Sequence, residues 1–212
     1  MKFNDEALKY PIIRKIKGEF ECFLDIFSNE TKRRFEQNLN VVFLDVDGEL
    51  TYQNYHNPET ENIDIAKVKL LKEICDKADA KVVISSSWRG TPDWAPPMYY
   101  TLRKILTDNG IEVLGDTPHI EPRYENWPFP NEPLTLDAIS HTKPIHGTGR
   151  AAEIEQWIKD HNVDGFVILD DEDHDWADYG FDTHWIRPTW FGDGGLKPEH
   201  ATKAVEILKH TT

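Results

Sequence analysis

A chain of 212 residues is long enough for one domain with a substantial buried core. Its 39% hydrophobic and 29% charged residues are ordinary globular proportions, and no apolar run approaches membrane-spanning length, so a helical membrane protein is excluded. A formal net charge of −14 repels long polyanions; binding to long duplex nucleic acid is not expected, although a small basic pocket for one phosphate remains compatible.

The opening MKFNDEALKYPIIRKIKGEF has early acids and no apolar h-region, so no secretory leader is expected and the protein reads as cytoplasmic. Residues 1–40 are charged and helical in pattern. Phe20, Phe23, Leu24 and Phe27 fall at helical spacing and predict a helix packed on the main body. VVFLDVDG, from Val41, is a short apolar run stopped by acids and a glycine, the pattern of a buried parallel strand. YQNYHNPETE is a polar loop. IDIAKVKLLKEICDKA places Ile65, Val68, Leu71 and Ile74 on one helical face.

KVVISSSW predicts a second buried strand ending in hydroxyls. PPMYYTLRKILTDNG opens with prolines and closes with Asn-Gly, the start and stop signals of a helix. IEVLGDTP predicts a further short strand. From Pro118 to Gly149 the chain is irregular and rich in Pro, His, Asn and Gly. RAAEIEQWIKDH is helical, GFVILDDEDHD is a buried strand running into acids, THWIRPTW predicts another strand and KPEHATKAVEILKH a closing helix. Alternating strands and helices define an α/β fold with a mostly parallel sheet. Cys22 and Cys75 lack CxxC spacing, which argues against a zinc site or a disulfide framework.

Three of these strands end in chemically loaded residues: Asp45-Val46-Asp47-Gly48, Ser85-Ser86-Ser87 and Asp170-Asp171. In an open parallel sheet, ligands gather at the carboxyl ends of the strands. Collected carboxylates repel one another and need a counter-charge, which a hard cation such as Mg²⁺ supplies while also taking phosphate oxygens. A serine hydroxyl and backbone N–H groups can hold a phosphate oxygen. Lys143 and Arg150 precede the Asp170 strand and could balance the remaining charge. Each element has an ordinary alternative: a solvated turn at Asp47-Gly48, a plain strand end at the serines, an acidic surface loop after Asp170. The glycine falls too early for an EF-hand loop. Three such ends after three buried strands, in this order, favour an active site.

FLDVDGEL, VVISSSW and VILDDE resemble the first, second and fourth motifs of the haloacid dehalogenase (HAD) superfamily of phosphohydrolases. SSSWR, GRAAEIEQWI, FVILDDE and GGLKPEHATKAVEIL resemble the small branch linked to Swiss-Army-knife RNA repair proteins. The resemblance implies a three-layer, Rossmann-like domain over residues 41–212, with residues 1–40 as an N-terminal helical extension. It implies Asp45 as a nucleophile that forms an aspartyl phosphate, and Asp47 as the acid and then the base. Ser85 would hold the phosphoryl group, with Gly48, Ser86 and Arg89 as substrate contacts. Asp45, the backbone carbonyl of Asp47, Asp170 and, behind it, Asp171 would hold Mg²⁺. For the family's basic residue, Arg150 is preferred for its place at a helix start, with Lys143 as competitor.

Glu49 departs from the small or apolar residue common after this glycine, adding a negative charge beside the flap. His141 and His146 read as solvated loop histidines. Trp157 reads as core, Trp88 and Trp94 as cleft borders, Trp185 and Trp190 as packing residues, and Arg89 as a better substrate contact than any tryptophan. The interval Glu49–Ala80 holds only a flap and one helix, and the loop after Pro118 lacks the apolar period of an independent cap. An essentially capless enzyme is expected, with an open cleft suited to a bulky phosphorylated partner such as a nucleotide or nucleic-acid end. The expected activity is Mg²⁺-dependent phosphomonoester hydrolysis. The alternative is a catalytically idle binding module on the same fold.

Overall fold

The computed structural model describes residues 39–90, 95–124 and 145–210. The helical extension expected over residues 1–40 therefore lies outside the described residues, except that Leu39 and Asn40 open the first strand. This strand, β1 (Leu39–Leu44), is buried from Val41 onward because neighbours cover both its faces. Asp64 caps the following helix α1 (Ile65–Ala78) by accepting from the Ala66 N–H at 2.8 Å. The helix stops at Asp79, which turns left-handed at φ 47°. β2 (Ala80–Ile84) follows directly. α2 (Pro97–Asp108) begins on a proline, whose missing N–H has no partner to lose in a first turn.

β3 (Val113–Asp116), α3 (Gly149–Asp160), β4 (Val163–Leu169), β5 (Trp185–Ile186) and α4 (Pro198–His210) complete the described order. The sheet runs β3-β2-β1-β4-β5, and every pair in it is parallel, so the expectation of a mostly parallel sheet becomes a wholly parallel one. The strand expected from THWIRPTW shrinks to two residues. Pro188 has no N–H for a ladder, and the chain beyond it turns toward the flap instead.

Alternation along the strands divides the core in two. Val42, Leu44, Val82, Ile84, Val167 and Leu169 pack with the apolar faces of α1, α2 and α4. Val41, Phe43, Val83 and Ile168 meet Ala151, Ile154 and Trp157 of α3 on the other side. The result is three layers, with Phe43 edge-on to Trp157 at 5.5 Å between ring centres. Each such side chain, fully buried, contributes about 1.5–3 kcal/mol. Among the described residues no helix is long and apolar enough to cross a membrane.

The chain leaves β1 for β2 and β3 on one side, then returns for β4 on the other. The switch lies between β1 and β4, where an open parallel sheet leaves a crevice at its carboxyl edge.

Candidate active site

Register levels three strand ends. Leu44 pairs with Ile84 on one side and with Leu169 on the other. The next residue along each strand is Asp45, Ser85 and Asp170, so these three stand side by side at the crevice. The ladder continues one step into them: Asp45 N–H donates to Leu169 O at 2.9 Å, and Ser85 N–H to Leu44 O at 2.8 Å. All three side chains are buried.

Arg150, the second residue of α3, enters from above. Its Nη1 donates to Ser85 O at 2.7 Å and to Asp170 Oδ2 at 3.1 Å. Those two bonds use both Nη1 hydrogens. Asp45 Oδ1 also lies 3.0 Å from Nη1, close enough for charge contact, yet it has no hydrogen-bond donor. Burial pushes the Asp45 carboxyl up to about 6; Arg150 opposes that rise and the Asp170 charge adds to it. Burial alone would lower Arg150, but Asp45 and Asp170 outweigh it and raise the guanidinium further. Lys143, the competing basic residue, lies outside the described residues.

Oxygens of Asp45, Asp170 and Asp171 lie within 4.8 Å of one another and could hold a metal ion. The donors are all carboxylate oxygens, the set a hard divalent cation takes. The Ser85 hydroxyl is buried with no hydrogen-bond partner in the protein, and Asp45 Oδ1 has only its charge contact with Arg150, which is costly unless a ligand completes them. The residues present thus fit a cation beside a phosphate oxygen. Burial, then Asp170, raises the Asp171 carboxyl, as expected of acids crowded without a counter-ion.

Asp47 is placed differently. Its carboxylate accepts from the Thr51 hydroxyl at 2.7 Å and from the Trp88 indole N–H at 2.8 Å. It is not one of the three clustered acids. Gly48 takes φ +90°, and a Cβ on it would stand 2.4 Å from Asp171 Cγ. The turn therefore needs glycine twice over, for its backbone angle and for the carboxylate packed above it. Gly48→Ala should destabilise the protein by about 1–3 kcal/mol and weaken Mg²⁺ binding by displacing Asp171. Denaturant melts and calorimetric titration with Mg²⁺ check this; unchanged affinity would separate Asp171 from the cation.

Other residues have partners or surroundings that the sequence did not show, while Ser86 and Arg89 also line a cavity of about 760 Å³. Arg89 gives Nη1 to Thr117 Oγ1 at 2.7 Å and Nη2 to Glu153 Oε2 at 2.6 Å, a nearly buried ion pair that ties the serine turn to α3. Ser86 caps that turn by accepting from the Trp88 backbone N–H at 3.3 Å. Trp190, read as a packing residue, borders a cavity of about 480 Å³ with Asp45, Asp47, Ser87, Arg150 and Asp171. Glu49 is fully buried with both oxygens unpartnered. Burial first, then Asp45, push it well above the usual carboxylate range, which disfavours the negative charge expected beside the flap. Trp94 and His141 lie outside the described residues. Position was the only sequence signal for Trp88: it directly follows the three serines.

A parallel α/β sheet with an Asp-x-Asp turn, a serine strand end, a basic helix start and a second acidic strand end is the arrangement of a HAD-type domain. The model of the HAD domain in Swiss Army Knife RNA repair proteins matches residues 41–201, and the chain belongs to that family. No curated protein matches it. A crystal structure from Mesorhizobium loti, described provisionally as a HAD-like phosphatase, is 14% identical and covers 84% of this chain and 89% of its own. Its TM-score of 0.45 is too low to bear on function.

Proposed function

We propose that this protein is a Mg²⁺-dependent phosphomonoesterase working through an aspartyl phosphate on Asp45. The observation that carries the reading is the level placement of Asp45, Ser85 and Asp170 beneath Arg150, with Ser85 Oγ buried without a hydrogen bond and Asp45 Oδ1 held only by its charge contact with Arg150. Asp45, Asp170, Asp171 and the Asp47 carbonyl would hold Mg²⁺, which when bound neutralises carboxylate and phosphate charge.

The chain's own residues then divide the work. An Asp45 carboxylate oxygen attacks phosphorus and the ester P–O bond breaks. Asp47 in its acid form gives its proton to the departing oxygen. Ser85 and Arg150 hold the phosphoryl oxygens. Water then attacks phosphorus, its proton passes to the Asp47 carboxylate, and the Asp45–phosphorus bond breaks to release phosphate.

Size and surroundings favour a bulky leaving group. The reacting residues open into the 480 Å³ cavity bordered by Trp190. Ser87, Arg150 and Glu172 also line a second cavity of about 760 Å³, which reaches His119, Tyr124 and His174. A nucleotide or the end of a nucleic acid suits this space, and the family's link to RNA repair proteins supports the same class. Trp190 offers a π-face of the kind on which bases stack.

Turnover of p-nitrophenyl phosphate should require Mg²⁺ and stop in EDTA. Terminally phosphorylated oligonucleotides and mononucleotides should exceed hexose phosphates in kcat/KM. Full turnover by demonstrably metal-free protein would sink the metal assignment. No turnover of any ester with Mg²⁺ present would support an idle binding module instead. Hexose phosphates winning clearly would leave the chemistry standing and remove the bulky-substrate reading.

A further inference from the structure

Asp47 is only half-buried and belongs to a tight turn, from Val46 to Thr51. A carboxylate in that setting would normally rotate into water. Here each of its two oxygens has a donor from the protein. Thr51 comes from the same turn, four residues on. Trp88 comes from the turn after β2, 41 residues away in sequence.

The indole N–H is the only polar atom of a tryptophan side chain, and it can only donate. Trp88 gives it to Asp47 Oδ2 at 2.8 Å, while only 5% of the residue is exposed. The turn that carries Trp88 is itself fixed on both sides: Ser86 Oγ accepts from the Trp88 backbone N–H, and Arg89 is locked to Glu153 and Thr117. Ser87 of the same turn borders the cavity. A rigid element next to the reacting groups therefore reaches across the crevice to hold one carboxylate. Apolar packing of the ring does not require this bond, since the core would be satisfied by any aromatic of similar shape.

We propose that Trp88, assisted by Thr51, is a positioning residue that fixes the Asp47 carboxyl for proton transfer to the leaving group. The inference rests on the phosphomonoesterase reading of Asp47. Asp47 makes no bond to Arg150 or to the clustered acids among its described contacts, so these two donors supply its orientation. A proton donor displaced from its line to the departing oxygen loses much of its effect, because proton transfer needs hydrogen-bond reach.

The test is the dependence of kcat/KM on the leaving group, which reports the phosphoryl-transfer step. An aryl ester such as p-nitrophenyl phosphate departs without much help from an acid. An alkyl ester such as glycerol phosphate needs the proton. Trp88→Phe keeps the ring and removes the N–H; Thr51→Val keeps the shape and removes the hydroxyl. Each should lower kcat/KM for the alkyl ester by roughly ten- to a hundredfold, with the aryl ester changed by no more than about threefold. KM for both esters should stay near the wild-type value, and so should Mg²⁺ affinity measured by calorimetry. Equal losses on the two esters would mark Trp88 as merely structural and overturn the inference. So would no loss on either ester from a variant that folds. If Trp88→Phe does not fold, Thr51→Val alone decides by the same ratio. A wild-type protein inert toward both esters would overturn the phosphatase reading itself and this inference with it.

Discussion

Asp45→Asn is expected to abolish turnover and at the same time to raise the melting temperature of the metal-free protein at pH 8. The first effect follows from chemistry: asparagine keeps the shape of the side chain but has no anionic oxygen to attack phosphorus. The second follows from burial. Asp45 is 8% exposed, and burial pushes its carboxyl from 3.8 up to about 6 against the opposing charge of Arg150. The fold thus prefers the protonated acid. Its contribution to stability is complete below pH 3.8, where folded and unfolded chains both bind the proton, and is lost as pH rises through about 6. Above that, ionised Asp45 costs the fold on the order of 3 kcal/mol. Asparagine is neutral at every pH and escapes this cost, although it also forfeits the charge contact with Arg150. The gain in EDTA should be largest near pH 8, shrink below pH 6 and vanish below about pH 4. Mg²⁺ should narrow the gap by stabilising the wild-type protein. Thermal melts at several pH values with and without Mg²⁺, beside steady-state rates, check both halves. A variant that keeps most of the wild-type rate would end the covalent mechanism. A variant no more stable than wild type at pH 8 would show that Asp45 is not a strained charge.

That tension was partly legible in the sequence. Apolar runs broken by Asp45, Ser85 and Asp170 carry the positions of the three central strand ends, because a buried parallel strand must be apolar until it surfaces. The pairing of Leu44 with both Ile84 and Leu169, which levels those ends, is a property of the sheet and leaves no mark in any one strand. Glu49 misleads for a related reason. A charge two residues after Asp47 reads as lying beside a solvated flap, yet Val46 and Leu50 of the same turn are core residues and Glu49 is buried with them. Glu153, which no sequence pattern singled out, is buried as the partner of Arg89 and the acceptor for Ile120 N–H. Arg89 was read as a substrate contact from its place after the serines; what its place did not reveal was Glu153, 64 residues away. The bond from Trp88 to Asp47 also spans distant motifs, and no periodicity records it. Contacts within an element follow period, whereas contacts between strand ends depend on a topology known only once the chain is folded.

Arg150→Ala is the second large effect expected. The guanidinium is the one described cation in contact with both Asp45 and Asp170, at 3.0 and 3.1 Å. Removing it leaves two buried carboxylates facing each other and the Ser85 carbonyl without its donor. Breaking a buried ion pair from one side typically costs about 3–5 kcal/mol, and the metal-free variant should lose that much in denaturant melts. Saturating Mg²⁺ should return part of it, since a cation neutralises the same carboxylates. Under those conditions the variant is folded and its kinetics can be read. Loss of one fixed donor to the phosphoryl group should then lower kcat by roughly 10²- to 10³-fold. Arg150→Lys restores a charge but not the rigid planar guanidinium whose Nη1 serves Ser85 and Asp170 together, so it should recover stability more fully than rate. Lys143→Ala should have the smaller catalytic effect; a larger one would move the basic role from α3 to that residue. Charge and structure separate cleanly in a double variant. If repulsion between Asp45 and Asp170 causes the instability, adding Asp45→Asn to Arg150→Ala should regain most of the lost stability in EDTA while activity stays absent. If the double variant is as unstable as Arg150→Ala alone, the arginine holds α3 on the sheet by its bond to the Ser85 carbonyl and not by balancing charge.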